Sequence, residues 1–256
     1  MDAIVLAGGV VAPDDALHAQ APGGLKCLIE VAGKPLVQWS LDALGSAAGI
    51  ERVVVVGLPS TTALRCDLPL TRLPGAGDLI GSIQAATEQL LRERPGAGHA
   101  LIVSADAPLV TAEMLTWMVE RVRERDEDLS MAVVERSVME ARFPASRRTY
   151  VRLKETEVCG GDVNACRLSV ARPGDGIAER LSKARKSPLR LASIIGLDTL
   201  GLLLLRRLTL TEAMARVSAR LRLRVGAIVC PHAEVAMDVD KPGQLELVRA
   251  ALEARA

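Results

Sequence analysis

The sequence predicts an α/β fold with a mostly parallel central sheet, and three observations support this prediction. Short apolar runs typical of buried strands alternate with longer runs whose apolar residues recur at helical spacing. The first apolar run stops at Gly8-Gly9, where the backbone must turn sharply or approach a ligand closely. The chain has 256 residues, which is enough for one large domain with a full core. We therefore expect a single domain over residues 1–256.

Five strands and five helices are predicted in alternation. The predicted strands cover 3–6, 52–56, 100–104, 129–134 and 223–229, and the predicted helices cover 35–44, 79–94, 111–125, 211–221 and 243–254. The third helix illustrates the reasoning, because Leu115, Met118, Val119 and Val122 form the apolar stripe of a helix lying on a sheet. Thr111 is the expected N-cap of that helix.

Residues 136–200 depart from the alternation because they are rich in glycine and proline, with short strand-like pieces such as 150–153. We predict that this segment is an insertion that covers one end of the sheet. Its position would let it form the wall of a site that recognises an acceptor substrate. This segment also holds a basic cluster: Arg180, Lys183, Arg185, Lys186 and Arg190. The cluster either clamps an anionic acceptor or lies on a solvated helix face, and the second arrangement is more common.

Composition narrows the possible functions. Aromatic residues make up only 2 % of the chain, so a base-stacking surface for nucleic acid is not expected. A net charge of +1 provides no field to attract DNA or an acidic membrane. The purely apolar runs, such as 3–7 and 202–205, are far too short to span a bilayer, and the N-terminus lacks a signal-peptide pattern. We expect a cytoplasmic protein without a nucleic-acid or membrane partner.

The five cysteines are scattered and never form a Cys-x-x-Cys arrangement, so neither a disulfide framework nor a zinc site is predicted. Cys27 is interpreted as a small buried hydrophobe.

The first candidate site is the segment 8–26, interpreted as a loop that holds phosphate. In open α/β sheets, ligands bind at the carboxyl ends of the strands, and exposed backbone amides there suit phosphate oxygens. Lys26 stands at the far end of this segment, where its charge would support the same role. The alternative is that Gly8-Gly9 forms only a tight turn.

Three aspartates are candidate metal ligands. Asp106 follows the predicted strand 100–104, at the same edge of the sheet as Gly8-Gly9, and Asp238 and Asp240 lie two residues apart in an extended stretch. Carboxylate oxygens suit Mg²⁺, which typically uses one or two carboxylates together with substrate phosphates. The alternatives are a capping role for Asp106 and a turn or N-cap role for Asp240.

Two glycine-rich segments are further candidates. The spacing of Gly75–Gly81 imitates a dinucleotide fingerprint, but Pro69 and Pro74 argue against a preceding strand. We interpret it as a loop that opens a helix and meets a base or ribose. The run Gly160-Gly-Asp-Val-Asn164 suits contacts with a polar acceptor, although a β-turn explains it almost as well.

Five motifs in order resemble those of a known family: Leu6-Ala-Gly-Gly9, Lys26, Gly33-Lys-Pro-Leu36, Ser104-Ala-Asp-Ala-Pro-Leu109 and Asp238-Val-Asp-Lys-Pro242. They look like the motifs of the MobA-like NTP transferases, the nucleotidyltransferases that include molybdenum-cofactor guanylyltransferase and methylerythritol-phosphate cytidylyltransferase. The resemblance runs from end to end. It implies a Rossmann-like three-layer sandwich of the nucleotide-diphospho-sugar transferase, or glycosyltransferase-A, type.

The resemblance also implies residue roles. Nucleotide binding would fall to Leu6, Ala7, Gly8, Gly9, Lys26, Gly81 and Ser82. Catalysis would fall to Lys26 and Asp106, and Mg²⁺ would be held by Asp106, Asp238 and Asp240. Gly161, Asp162 and Asn164 would contact the acceptor.

The implied reaction is magnesium-dependent transfer of an NMP group from an NTP, with CTP or GTP favoured, to a phosphorylated small molecule, with release of pyrophosphate. A phosphate monoester has a second pKa of about 6, so this nucleophile needs no catalytic base. Family members usually carry an arginine soon after the double glycine, whereas here no arginine precedes Lys26. The missing arginine leaves open a non-catalytic nucleotide-binding regulatory module, and the glycine spacing leaves open a nicotinamide-dependent oxidoreductase that uses Gly75–Gly81. The sequence does not reveal the oligomeric state, and a homodimer stays open.

Overall fold

The computed structural model describes residues 1–172 and 196–255. Its strands are β1 (Asp2–Leu6), β2 (Glu30–Val31), β3 (Lys34–Pro35), β4 (Arg52–Val56), β5 (Leu70–Leu73), β6 (His99–Ser104), β7 (Leu129–Glu135), β8 (Val151–Arg152), β9 (Glu157–Gly160), β10 (Val163–Arg167) and β11 (Val225–Val229). Its α-helices are α1 (Leu36–Ser46), α2 (Leu79–Glu93), α3 (Ala112–Arg125), α4 (Arg136–Arg142), α5 (Leu197–Leu204), α6 (Leu210–Leu221) and α7 (Pro242–Glu253). Across these ranges, the helices lack the length and apolar content that crossing a membrane requires. The predicted basic cluster at 180–190 lies outside the described residues.

Nine strands form one sheet in the order β5-β4-β1-β6-β10-β7-β9-β8, and β11 pairs with β7. β1 is parallel to both β4 and β6, β4 is parallel to β5, and β7 is parallel to β11. β10 is antiparallel to β6 and β7, and β9 is antiparallel to β7 and β8. With β9 and β10 reversed, seven of the nine strands in this sheet point the same way, which confirms the predicted mostly parallel sheet.

Helices cover both faces of the sheet, and the alternation of side chains along β1 shows how. Ala3 and Val5 pack into the larger core cluster with apolar residues of α1, α3 and α7. Ile4 points to the opposite face and packs with Leu90 of α2. The result is the predicted three-layer arrangement, with helices on either side of a central sheet.

The predicted strands and helices agree with the structure to within two residues at each end. The strand predicted at 52–56 is found with the same bounds, and the strand predicted at 223–229 begins at Val225. Thr111 caps α3 as expected, since its side chain accepts a hydrogen bond from the backbone N–H of Met114.

The prediction that no strand precedes Gly75 was wrong. β5 occupies residues Leu70–Leu73 and pairs with β4 along one side. The flanking Pro69 and Pro74 misled the prediction, although proline is compatible with the ends of an edge strand, which has one side free of ladder hydrogen bonds.

The described part of the predicted insertion, residues 136–172 and 196–200, contributes β8, β9 and β10 to the sheet. β10 lies in the middle of the sheet between β6 and β7, whereas the prediction placed this segment over one end. β10 escaped detection because it is short and carries the polar residues Asn164 and Arg167. The role of the segment as a wall against an acceptor stays a prediction.

Candidate active site at the carboxyl ends of the parallel strands

A cavity of about 390 Å³ opens where β1 and β6 end and α2 begins. Its position agrees with the general rule that open α/β sheets bind ligands at the carboxyl ends of their strands. The lining includes most of the predicted nucleotide-binding and catalytic residues: Leu6, Ala7, Gly8, Gly9, Lys26, Ser82 and Asp106. The predicted site residues from the first half of the chain therefore converge on one space.

The glycine turn after β1 is shaped by contact with the end of β4. Gly57 has a φ of +107°, and a Cβ atom added to it would lie 2.4 Å from Cα of Gly8. Ala7 donates its backbone N–H to the carbonyl of Val56 at 2.9 Å, which fixes the two strand ends together. Glycine is required at this crossing because two backbones touch there. The turn thus presents bare backbone to the cavity, which is what phosphate binding needs.

The loop between Gly9 and Lys26 closes on itself. Val10 forms an antiparallel bridge with Leu25, and the backbone N–H of Val11 donates to the carbonyl of Gly24 at 2.8 Å. Lys26 donates its own N–H to the carbonyl of Gly9 at 3.0 Å. The two ends of the long loop therefore lie side by side, which places Lys26 next to the glycine turn.

The N-terminus of α2 forms the opposite wall of the cavity. Asp78 caps the helix by accepting the backbone N–H of Gly81 at 2.8 Å, and Leu79 and Ser82 line the cavity. A Cβ atom at Gly81 would lie 2.8 Å from the carbonyl oxygen of Ala76, so close packing explains this glycine. Of the two predicted contacts on α2, Ser82 lines the cavity and Gly81 does not. The partial positive charge of a helix N-terminus favours an anion in this cavity.

Three predicted metal ligands form one acidic cluster. Asp106, Asp238 and Asp240 each place a carboxylate oxygen within 4.8 Å of the other two. The backbone N–H of Val239 donates to the carbonyl of Asp106 at 3.0 Å, which ties the two chain segments together. Ser104 donates its hydroxyl to Asp106 Oδ1 at 2.5 Å. Two segments that are distant in the sequence therefore converge as predicted.

Two basic side chains balance the cluster. Lys26 Nζ forms ion pairs with Asp106 and, at 2.5 Å, with Asp240 Oδ1. Burial disfavours the lysine's charge, but the charges and hydrogen bonds of the two aspartates outweigh burial and raise the pKa of Lys26 above its usual range. Arg148 forms an ion pair with Asp238.

The cluster still carries more carboxyl groups than these two cations balance. Asp162 lies beside it, and its buried Oδ2 has no hydrogen-bond partner among the described residues. Burial, followed by the charges of Asp238 and Asp106, raises the pKa of Asp162 well above its usual range. Burial also raises the pKa of Asp238 to about 6, although the charge of Arg148 opposes this. An all-oxygen set with surplus negative charge fits a hard divalent cation such as Mg²⁺.

The other two predicted acceptor contacts have structural partners. Asn164 accepts the backbone N–H of Ala132 at 3.0 Å and donates to the carbonyl of Gly161 at 3.1 Å. A Cβ atom at Gly161 would lie 3.0 Å from Ala132 and 3.0 Å from Val235. These contacts hold β10 against its neighbours, so of the three residues Asp162 alone brings its side chain to the acidic cluster. Acceptor binding by Gly161 and Asn164 stays a prediction.

Arg148 is the site residue that the sequence did not reveal. Its partner Asp238 is 90 positions away, and no motif surrounds either the arginine or its neighbour Arg147. Only the fold brings the segment 144–150 to the acidic cluster. Cys27, by contrast, is buried as predicted, and its thiol donates to the carbonyl of Ala7 at 3.1 Å.

Comparison with known proteins identifies the family. Residues 3–185 match the MobA-like NTP transferase domain, so the chain belongs to this family of nucleotidyltransferases. A probable molybdenum cofactor guanylyltransferase from Pyrococcus furiosus is 29 % identical over 123 residues, which cover 47 % of this chain and 54 % of that protein. This match spans about half the length of the curated relative. The family favours the nucleotidyltransferase interpretation over the oxidoreductase alternative.

Solved structures share the fold. A hypothetical transferase from Thermus thermophilus has a TM-score of 0.82 and 34 % identity, covering 95 % of this chain and 98 % of that one. A 2-C-methyl-D-erythritol 4-phosphate cytidylyltransferase, also from Thermus thermophilus, has a TM-score of 0.53 and 16 % identity, with full coverage of both chains (100 % and 100 %). The second likeness supports the nucleotidyltransferase fold.

Proposed function

We propose that the chain transfers an NMP group from an NTP to a phosphorylated small molecule, in a magnesium-dependent reaction that releases pyrophosphate. The observation that carries the proposal is the convergence of the glycine turn, Lys26 and Asp106 on one cavity, with Asp106 also belonging to the acidic cluster. CTP and GTP are the favoured donors, because the similar proteins include a probable guanylyltransferase and a cytidylyltransferase.

The donor triphosphate is proposed to lie between the glycine turn and the N-terminus of α2. Backbone amides after Gly8 and the first turn of α2 supply donors to phosphate oxygens. Lys26 adds a full positive charge at the point where the turn meets Asp106. Neutralising phosphate charge in this way is the main task of enzymes that transfer phosphorus groups.

Asp106, Asp238 and Asp240 are proposed to hold Mg²⁺. When bound, the ion supplies charge neutralisation on the phosphates of the donor. Lys26 now pairs with two of these aspartates, so its ammonium group is expected to move from the carboxylates to the triphosphate when both ligands bind. The lysine would thus exchange carboxylate partners for phosphate partners, while its ammonium group would stay shielded from water to a similar extent.

The acceptor needs no general base under this proposal. Its phosphate is largely ionised at pH 7, because the second pKa of a phosphate monoester is about 6. One of its oxygens forms a bond to the α-phosphorus of the NTP, the bond from that phosphorus to the bridging oxygen breaks, and pyrophosphate leaves. The protein's contribution is positioning and electrostatic stabilisation.

Pyrophosphate release tests the proposal. The wild type is incubated with Mg²⁺, each of the four NTPs and a panel of phosphorylated acceptors, and binding of each NTP is measured in parallel. We expect pyrophosphate only with a matching acceptor and only when a divalent cation is present. The second candidate, a regulatory module, is favoured by the absence of an arginine before Lys26. Tight NTP binding without turnover across the panel would support it.

A further inference from the structure

Arg148 lies at the boundary between the acidic cluster and a second cavity. Its side chain is only 15 % exposed and forms the ion pair with Asp238. The same residue lines a cavity of about 500 Å³ on the other side. We call this cavity the arginine pocket; its charged lining residues are Arg136, Glu140, Arg147, Arg148, Arg152 and Glu157.

The arginine pocket is basic, in contrast to the cluster beside it. Its lining holds four arginines and two glutamates, so once a cation takes Asp238 away from Arg148 the pocket has a surplus of two positive charges. Arg136 pairs with both Glu140 and Glu157, and Arg152 lies 3.4 Å from Glu157. Arg147 is exposed and has no ion pair among the described residues. A surplus of two charges matches a phosphate monoester, which carries nearly two negative charges at pH 7.

Arg148 is suited to connect this pocket with the reacting centre. A guanidinium group offers five N–H donors in a planar fork, which matches the oxygens of phosphate. A cation bound by the acidic cluster would compete for Asp238, and the arginine would then need another anion. An acceptor phosphate in the arginine pocket would supply that anion next to the proposed donor site.

We propose that the arginine pocket binds the phosphate group of the acceptor and that Arg148 positions this group against the acidic cluster. This inference rests on the proposed function, and it locates the acceptor's phosphate at the point where Arg148 meets Asp238. It assigns Arg148 a role as a phosphate contact beyond its pairing with Asp238.

The test uses inorganic phosphate as the probe and isothermal titration calorimetry at saturating Mg²⁺. We expect Arg148→Met to weaken phosphate binding by about tenfold or more, because a charge-assisted pair is lost. Arg148→Lys should give an intermediate loss, since it keeps the charge without the fork. Arg92→Met removes an arginine paired with Glu88 on the outer face of α2 and should leave phosphate binding unchanged. Phosphate affinity of Arg148→Met within about twofold of the wild type would overturn the inference.

A second variant keeps the inference testable if Arg148→Met does not fold. Arg147→Met changes an exposed side chain of the same pocket and should weaken phosphate binding by about threefold. Unchanged phosphate affinity in this variant would also count against the pocket. Binding of Mg²⁺ with CTP or GTP is measured in the same samples. It should change by less than about threefold in Arg147→Met, whereas Arg148→Met, which loses the cation paired with Asp238, should bind Mg²⁺ more tightly than the wild type. If the wild type did not bind Mg²⁺ with CTP or GTP, the proposed function would be contradicted. If the wild type bound them but did not bind phosphate, only the inference about the pocket would be contradicted.

Discussion

The two sides of the acidic cluster are built on different principles. The donor side consists of the glycine turn, the closed loop that returns Lys26 and the start of α2, and it presents mainly backbone to the cavity. The acceptor side, by contrast, consists of charged side chains, with Arg148 and Asp162 brought in from the segment between α4 and β10. A backbone cradle suits a feature shared by all nucleotides, the phosphates, whereas a side-chain wall can change with the acceptor. The proposed function therefore assigns donor recognition to the fold itself and acceptor recognition to individual side chains.

The largest expected effect falls on Asp106, where the two sides meet. Asp106→Ala removes a ligand of the proposed metal and the partner of Lys26. We expect transfer to fall on the order of 10³-fold or more, because preorganised charge at the reacting phosphorus is lost. Asp14→Ala, in the exposed part of the closed loop, is the matched control. Pyrophosphate release at the wild-type rate in Asp106→Ala would refute the metal assignment.

Lys26→Met separates the donor side from metal binding. Loss of the ammonium group should lower kcat/KM by on the order of 10²-fold. Without nucleotide, the same variant should bind Mg²⁺ more tightly than the wild type, because the cation that pairs with Asp106 and Asp240 is gone. Both quantities are measured, with Lys34→Met, an exposed lysine paired with Asp42, as the control. Weaker Mg²⁺ binding in Lys26→Met would contradict the proposed exchange of partners.

Gly57→Ala probes the backbone cradle without touching a charged residue. Its new Cβ atom would lie 2.4 Å from Cα of Gly8, at a φ of +107° that side chains rarely adopt. We expect a loss of about 3 kcal/mol in the free energy of unfolding, measured by urea denaturation, and weaker NTP binding. Gly96→Ala is the control, because its Cβ atom would have open space around it. Wild-type stability in Gly57→Ala would show that the crossing of the two strand ends is not tight.

Asp238→Asn tests the acceptor side through the pH dependence of the free energy of unfolding. Folding raises the pKa of Asp238 from its ordinary 3.8 to about 6, chiefly by burial. The neutral form is therefore favoured in the folded state, and this stabilisation is present below pH 3.8 and lost as the pH rises through 6. Asparagine stays neutral, so the variant should be more stable than the wild type by about 3 kcal/mol at pH 7, because each unit of the shift corresponds to about 1.4 kcal/mol.

The difference in unfolding free energy between Asp238→Asn and the wild type should shrink towards zero near about pH 4. Chemical denaturation at several pH values measures it. Asp42→Asn, which removes the charge of an exposed carboxylate on α1, serves as the matched control. A difference that grows on acidification would contradict the account of Asp238.

The contrast between the two sides also explains how much the sequence could predict. The strands and helices of the parallel half were predictable, because their apolar patterns are continuous and their bounds follow from local signals such as Thr111 and Gly8-Gly9. The convergence of Lys26, Asp106 and Asp240 was also predictable, because Asp106 follows a strand, Lys26 ends the loop after the glycine turn and Asp240 precedes a helix.

The acceptor side was harder to predict for a physical reason. β10 is a short strand with polar residues, and its place in the middle of the sheet depends on neighbours far away in the chain. The pairing of Arg148 with Asp238 depends on the same long-range packing. Local patterns carry no record of such contacts, so a structure was needed to reveal the arginine pocket.

The most direct test of the central proposal is a crystal structure of the wild type with Mn²⁺ and CTP or GTP, in which anomalous scattering locates the metal. We predict an anomalous peak within coordination distance of Asp106 and Asp240, with the triphosphate lying along the glycine turn and Lys26 Nζ moved onto a phosphate oxygen. A nucleotide bound outside this cavity, or a metal away from these two aspartates, would contradict the account.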